Sequence, residues 1–262
     1  MPRTIFIGDV HGCFYELVEL FQKLDVQRDD RVVFVGDLVD KGPDSLGVLR
    51  FARNVVETQP GSVVVSGNHE EKASRQYKRG VAVEPWCEDS IESDWAFIDA
   101  MPLFWYDPEL NIRVVHGGIF PRLLEEHPDV WEKIEARGAN WQKGGGKVMS
   151  RARRMLRIRY VGGPQRPVGV KGEVPPGEML ELGTNVEGDP FWADTYHAEH
   201  GVVVYGHAPW LNGKVRQRSL VSYGIDTACV FGGKLTAFVI GKRIGFVQVR
   251  ALQRYAEPLE ED

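Results

Sequence analysis

Short apolar runs and amphipathic stretches take turns along the first seventy residues. Thr4–Val10, Arg31–Asp37 and Ser62–Asn68 are rich in valine, isoleucine and phenylalanine, and each closes on a glycine followed by a polar residue. Between the first two, Phe14, Leu17, Val18, Leu20, Phe21 and Leu24 fall at helical spacing and predict a helix over 14–24. Pro43-Asp44-Ser45 opens a second helix, proline suiting the first turn and the acidic residue the helix dipole. Strand–helix–strand–helix–strand at this spacing predicts a parallel sheet covered by helices, an α/β arrangement. In such sheets ligands gather outside the carboxyl ends of the strands. The polar residues sit at those ends.

Ile112–Gly118 and Gly201–His207 read as two further strands, ending in His-Gly and Gly-His. Leu220–Asp226, Leu235–Ile240 and Ile244–Arg250 read as a closing antiparallel meander, the last two joined by Gly241-Lys242-Arg243. From about 122 to 200 the pattern loosens. That stretch holds Gly144-Gly145-Gly146, Gly162-Gly163-Pro164, Pro175-Pro176-Gly177 and a basic helix candidate, Lys147–Arg159. It reads as a cap inserted beside the site, so one domain is expected over 1–262. The acidic tail Glu257–Asp262 reads as frayed.

Hydrophobic residues at 43% and charged residues at 26% exclude a disordered or collagen-like chain. Thirty-two basic against 37 acidic side chains leave −5, which argues against whole-surface attraction to nucleic acid. Cys13, Cys87 and Cys229 are far apart and form no C-x-x-C pair, so neither a disulfide framework nor a structural zinc site is indicated. The apolar start before Asp9 is too short for a signal peptide, and no run approaches the roughly 20 residues of a membrane span. The expectation is a reduced, cytoplasmic setting, with no membrane and no obligate protein partner.

Five strand ends present metal-ligating side chains: Asp9 with His11, Asp37, Asn68 with His69, His116, and His207. Mixed imidazoles and carboxylates suit manganese, iron, zinc or cobalt better than calcium. The set is large enough for two ions if Asp37 bridges them, and two metals about 3.5–4 Å apart can clamp a phosphoryl group. Taken singly, each histidine is as readily a core or surface residue, and each aspartate a turn or cap. Their conjunction, in order, on strand ends, favours an enzyme.

Gly8-Asp9-Val10-His11-Gly12, Gly36-Asp37-Leu38-Val39-Asp40, Gly67-Asn68-His69-Glu70, His116-Gly117-Gly118 and Gly206-His207 resemble, in order, the motifs of calcineurin-like metallophosphoesterases. The resemblance implies a β-sandwich of mixed sheets with flanking helices and two divalent cations, manganese first, with iron, zinc, cobalt or magnesium as alternatives. Carried over, Asp9, His11 and Asp37 would hold one metal, and Asp37, Asn68, His116 and His207 the other. His69 would give a proton to the leaving oxygen, oriented by Asp40, after in-line attack by a metal-bound hydroxide.

Two branches of the family compete. Asp40 and Glu70 resemble the protein serine/threonine phosphatases. Lys41-Gly42-Pro43-Asp44-Ser45 and the segment Gly224–Ala237 resemble the ApaH-like (diadenosine-tetraphosphatase-like) group, with one departure at Ala228, where that group commonly has glycine. The longer terminal match favours a diadenosine tetraphosphate or related nucleoside polyphosphate substrate, with capped RNA ends as a further option and a protein phosphatase as the alternative. Lys143, Lys147, Arg151, Arg153, Arg154, Arg157 and Arg159 crowd the insertion and suit a polyanion. Helical spacing would set Lys147, Arg151 and Arg154 on one face. Lys41, Asn68, His69, Arg157 and Arg159 are the expected phosphate contacts. Trp141, Trp192 and Trp210 could stack a base, or fill the core under the cap.

Overall fold

Alternate residues of the first strand enter different cores. In β1 (Thr4–Ile7), Ile5 and Ile7 pack with α1 (Phe14–Leu24) and α2 (Ser45–Thr58), while Phe6 faces a second sheet. β2 (Arg31–Phe34) repeats this: Val32 and Phe34 join the helical side, and Val33 joins Phe6. A strand buried on both faces has no polar side, which is why these runs read as continuously apolar. The computed structural model describes residues 2–81, 84–164, 174–181, 183–218 and 220–258.

Adding β3 (Val63–Val64) parallel to β2, with β9 (Lys234–Ile240) and β10 (Ile244–Arg250) antiparallel beside β1, gives a sheet of order β10-β9-β1-β2-β3. The second sheet runs β4 (Phe104–Asp107), β5 (Ile112–Val115), β6 (Val202–Tyr205), β8 (Ser222–Gly224) and β7 (Arg216–Arg218). Its three central strands are parallel and its outer two antiparallel. The sheets meet through Phe6, Val33, Val35 and Phe238 on one side and Ile112, Val114, Val204, Tyr223 and Ile225 on the other. Tyr223 and Phe238 stack across the gap at 4.5 Å between ring centres. α5 (Pro121–Glu126), α6 (Val130–Glu135) and α7 (Gly146–Ala152) cover the outer face of the second sheet. The mixed-sheet sandwich with flanking helices is therefore the observed fold.

Several details depart from the sequence pattern. The closing meander is broken: β8 lies in the second sheet, parallel to β6, and only β9 and β10 form a hairpin in the first. The loop after Asp226 carries the chain between sheets, where two adjacent apolar runs had suggested one. The basic segment is not one helix. α7 stops at Ala152, a 3-10 turn spans Arg153–Leu156, and Arg157 leaves the helix. Arg151 and Arg154 still meet at one carboxylate, Glu178, while Arg153 turns to the Trp141 carbonyl, so these side chains are paired within the insertion. Pro43 precedes the cap of α2, and the Asp44 carboxylate caps it by accepting from the Gly47 N–H at 2.7 Å. β4, β7, α3 (Asn68–Lys78) and α4 (Glu92–Ala100) had no clear sequence signal. Residues 165–173 and 182 of the insertion and 259–262 of the acidic tail lie outside the described residues. Among those described, no helix is long and apolar enough to cross a membrane.

Candidate active site

Every parallel strand stops short of the polar residue that the sequence places at its end. β1 ends at Ile7 and β2 at Phe34, leaving Asp9, His11 and Asp37 in the loops beyond. His116 follows β5, His207 follows β6, and Asn68 opens α3. His11, Asp37, Asp40, Lys41 and His207 all have positive φ, between 46° and 70°. Left-handed backbone costs a non-glycine residue about 1–2 kcal/mol, and such strain clusters at functional sites. Here it turns side chains from both sheets into one cleft. Two glycines make room for carboxylates: a Cβ at Gly206 would stand 1.9 Å from Asp9 Oδ1, and one at Gly67 would stand 2.1 Å from Asp37 Oδ1.

Asp37 is the centre. Its Oδ2 lies 3.2 Å from His116 Nε2, 3.5 Å from His11 Nε2 and 4.0 Å from His69 Nε2. Its carboxylate belongs to two groups that could each hold a cation, one with His11 and His69 and one with His116 and His207, and within each group the candidate ligand atoms all lie within 4.8 Å of one another. His11 Nδ1 donates to Val39 O and His116 Nδ1 donates to Val35 O, both at 2.9 Å. A carbonyl only accepts, so Nδ1 carries a proton in both rings, which leaves Nε2 as the atom that can present a lone pair to a cation. Asn68 Oδ1, a further acceptor, stands 3.0 Å from His116 Nε2. Asp9 Oδ2 accepts from the His207 backbone N–H at 2.9 Å, while its Oδ1 is buried with no hydrogen-bond partner. Acceptors facing acceptors around an unsatisfied buried carboxylate is the chemistry of a cation site. The residues fit divalent transition metals.

Charge states agree with that fit. Burial, with Asp226 and Asp37 nearby, pushes the Asp9 carboxyl well above its usual range. Burial also works to raise Asp37, yet His116, His69 and His11 hold it well below. Burial takes His11 down to about 3 and, with His116, takes His207 well below its ordinary value. Neutral imidazoles are what a metal requires. His69 differs: despite burial, Asp37 and Asp40 raise it, and its Nδ1 lies 2.6 Å from Asp40 Oδ2.

Two further carboxylates belong to the site. Fully buried Glu70 accepts from the backbone N–H groups of Gly67 (2.9 Å), Asp37 (3.0 Å), Leu38 (2.8 Å) and Val39 (3.2 Å). It ties the start of α3 to the loop that carries Asp37, and burial beside Asp37 pushes it up to about 6. Asp226 follows β8, lines the cleft, and accepts from the Ala228 N–H at 3.0 Å; burial takes it to about 6. Gly224-Ile225-Asp226 repeats the glycine-to-polar strand ending, a signal that could have found it.

The basic residues divide. Lys41, 4.8 Å over the Phe231 ring, and Arg159, 3.4 Å from His207 O, both line the cleft. Arg157 is held by Glu71 Oε2 at 2.7 Å and by Asn68 O at 3.4 Å, over the start of α3. Arg151 binds Glu126 and Glu178, Arg154 binds Glu178 at 3.3 Å, and Arg153 binds Trp141 O at 3.0 Å. Lys143 and Lys147 are exposed. Trp141 and Trp192 are fully buried in the core of the insertion, which leaves neither ring open to a base.

Residues 2–161 match the family described as Calcineurin-like phosphoesterase. A bis(5'-nucleosyl)-tetraphosphatase (asymmetrical) of Halalkalibacterium halodurans is 33% identical over 94% of this chain and 93% of its own length. A symmetrical bis(5'-nucleosyl)-tetraphosphatase of a Marinomonas species is 26% identical over 90% of this chain and 92% of its own. The fold is shared with the crystal structure of a putative diadenosine tetraphosphatase, at a TM-score of 0.69, 24% identity and 96% coverage of both chains. The chain belongs to the calcineurin-like phosphoesterases, hydrolases that work through a dinuclear divalent metal centre.

Proposed function

We propose that the chain hydrolyses a phosphoanhydride bond of a dinucleoside tetraphosphate or a related nucleoside polyphosphate. The observation that carries the reading is the Asp37 carboxylate, shared by two groups of imidazoles at the ends of strands from both sheets. Asp9, His11 and Asp37 would hold one cation, and Asp37, Asn68, His116 and His207 the second; mixed imidazole and carboxylate donors suit manganese, the first choice here, as well as iron, zinc or cobalt. When bound, the two cations polarise phosphoryl oxygens and lower the pKa of water.

The chain's own residues do the rest. Lys41 and Arg159 both line the cleft and would contact phosphate oxygens, and more than one cationic contact suits a polyphosphate chain. His69 is the group suited to protonate the leaving oxygen: carboxylate partners raise it, whereas His11 and His207 are lowered. Asp40 keeps the His69 proton on Nδ1 and aims Nε2 into the cleft. The chain works as one unit, with the stretch at about 122–200 as a cap that supplies Arg159. Three free thiols accord with a reduced, cytoplasmic setting.

Purified enzyme with manganese tests this on diadenosine tetraphosphate, capped RNA and phosphoserine or phosphothreonine peptides side by side. The dinucleotide should turn over fastest. ATP plus AMP would mark asymmetric cleavage, and two ADP symmetric cleavage. Faster turnover of phosphopeptides would sink the proposal and make Glu70 and Asp40 marks of a protein phosphatase.

A further inference from the structure

Asp40 is buried, and its two carboxylate oxygens have different partners. Oδ2 faces His69 Nδ1 at 2.6 Å, while Oδ1 accepts from the indole Nε1–H of Trp86 at 2.7 Å. We propose that Trp86 is a positioning residue for proton transfer: its indole N–H fixes the rotation of the Asp40 carboxylate and, through it, the direction of the His69 ring. The proposal rests on the reading of His69 as proton donor.

The terminal torsion of an aspartate is broad and soft, so a carboxylate with one partner can swivel. A second partner on the other oxygen removes that freedom. An indole N–H can only donate, so Oδ1 accepts from it, which leaves Oδ2 to meet the imidazole. The indole is itself held. Trp86 sits in the 3-10 turn Pro85–Asp89 and stacks on Trp95 of α4, with ring centres 5.5 Å apart and planes at 26°. Trp95 stacks in turn on Tyr77 of α3 at 4.1 Å and 7°, and its Nε1 donates to Ser90 Oγ at 2.8 Å. α3 begins at Asn68 and His69 and ends near Tyr77. The same helix therefore carries the imidazole at one end and the base of the ring stack at the other. A rigid support of this kind is what sets a catalytic side chain to sub-ångström tolerance.

Trp86→Phe keeps the stacking ring and removes only the donor. It is compared with the parent enzyme on phenyl phosphate, a poor leaving group, and p-nitrophenyl phosphate, a good one, with manganese supplied. The expected loss in kcat on phenyl phosphate is about tenfold, within the usual range for an outer partner of a site residue. KM should be little changed, and the loss on p-nitrophenyl phosphate smaller, because a good leaving group needs little protonation. Trp86→His, whose ring N–H can reach toward Asp40, should recover part of the rate, and it carries the test if the phenylalanine variant fails to fold. His69→Ala is the reference and should show the same leaving-group bias more strongly. If His69→Ala shows no such bias, the proton-donor reading fails. If His69→Ala shows it but Trp86→Phe loses rate equally on both esters, or not at all, Trp86 only fills space and the inference is overturned.

Discussion

His69 Nδ1 faces the Asp40 carboxylate at 2.6 Å, whereas His11 and His116 rest their Nδ1 atoms on backbone carbonyls at 2.9 Å. A neutral carbonyl leaves an imidazole free to ligate, while a carboxylate helps it keep a second proton. Under the proposed assignment, this contrast is what separates His11 and His116 as ligands from His69 as acid. His69→Ala should retain two metals per chain by elemental analysis and lower the rate by about 10²–10⁴-fold. Loss of metal in that variant would mean that His69 ligates instead.

Asp37 belongs to both imidazole groups, so Asp37→Asn should disturb both cations together. Its amide lacks the negative charge that offsets two divalent ions. Metal content should fall toward zero, with activity lost in step. A variant that kept one tightly held metal would show that Asp37 does not bridge.

Lys41 and Arg159 reach the cleft, whereas Arg154 is paired with Glu178 inside the insertion. Lys41→Ala should raise the Michaelis constant for a tetraphosphate by about tenfold, the scale of one lost bond to a charged group, and by less for a phosphate monoester. Arg154→Ala should change thermal stability and leave that constant alone. Steady-state kinetics on both substrates decide between the roles.

How far the sequence reached follows from what kind of feature each element is. The buried parallel strands were legible because both faces are apolar, and the side chains that gather in the cleft because polar residues closed those runs. Glu70 was visible only as a family mark, since three of its four bonds go to backbone N–H groups on a distant loop and leave no local pattern. Trp86 was invisible: a 3-10 turn with one indole, 46 positions from Asp40, has no periodicity to read. The basic stretch divides in a way that charge density alone does not show: Arg159 lines the cleft, while Arg151 is buried between Glu126 and Glu178.

Ala228 was noted as a departure from a commonly glycine position, and its φ of 62° gives the reason for the family preference. Left-handed backbone costs alanine about 1–2 kcal/mol, against about 0.5–1 kcal/mol of extra chain entropy that glycine must lose. Ala228→Gly should therefore stabilise the fold by about 0.5–1 kcal/mol in urea unfolding. It removes one buried methyl and leaves the N–H that reaches Asp226. An unchanged or lower midpoint would show that packing of that methyl outweighs the strain.

Asp94 lies fully buried at the start of α4, between Arg50 at 2.8 Å and Arg53 at 3.0 Å, and accepts from its own helix at the Ile91 N–H. Burial works to raise its carboxyl, but the Arg50 and Ile91 hydrogen bonds hold it below the usual range. A carboxyl lowered in the folded state contributes stability that is fully present above its unfolded pKa of about 3.9 and is lost as pH falls through the folded value. Asp94→Asn should cost about 2 kcal/mol at pH 7, an amount typical of hydrogen bonds to a charged group, lowered because Arg50 is partly exposed. The gap between parent and variant in urea unfolding should stay constant from pH 7 to 5 and narrow as pH drops below about 4, where the unfolded parent's carboxyl takes up a proton while the folded one stays charged down to its lower value. An equal gap at pH 7 and pH 3 would show that the amide fails through shape and not charge, and would remove Asp94 from the groups that set acid stability.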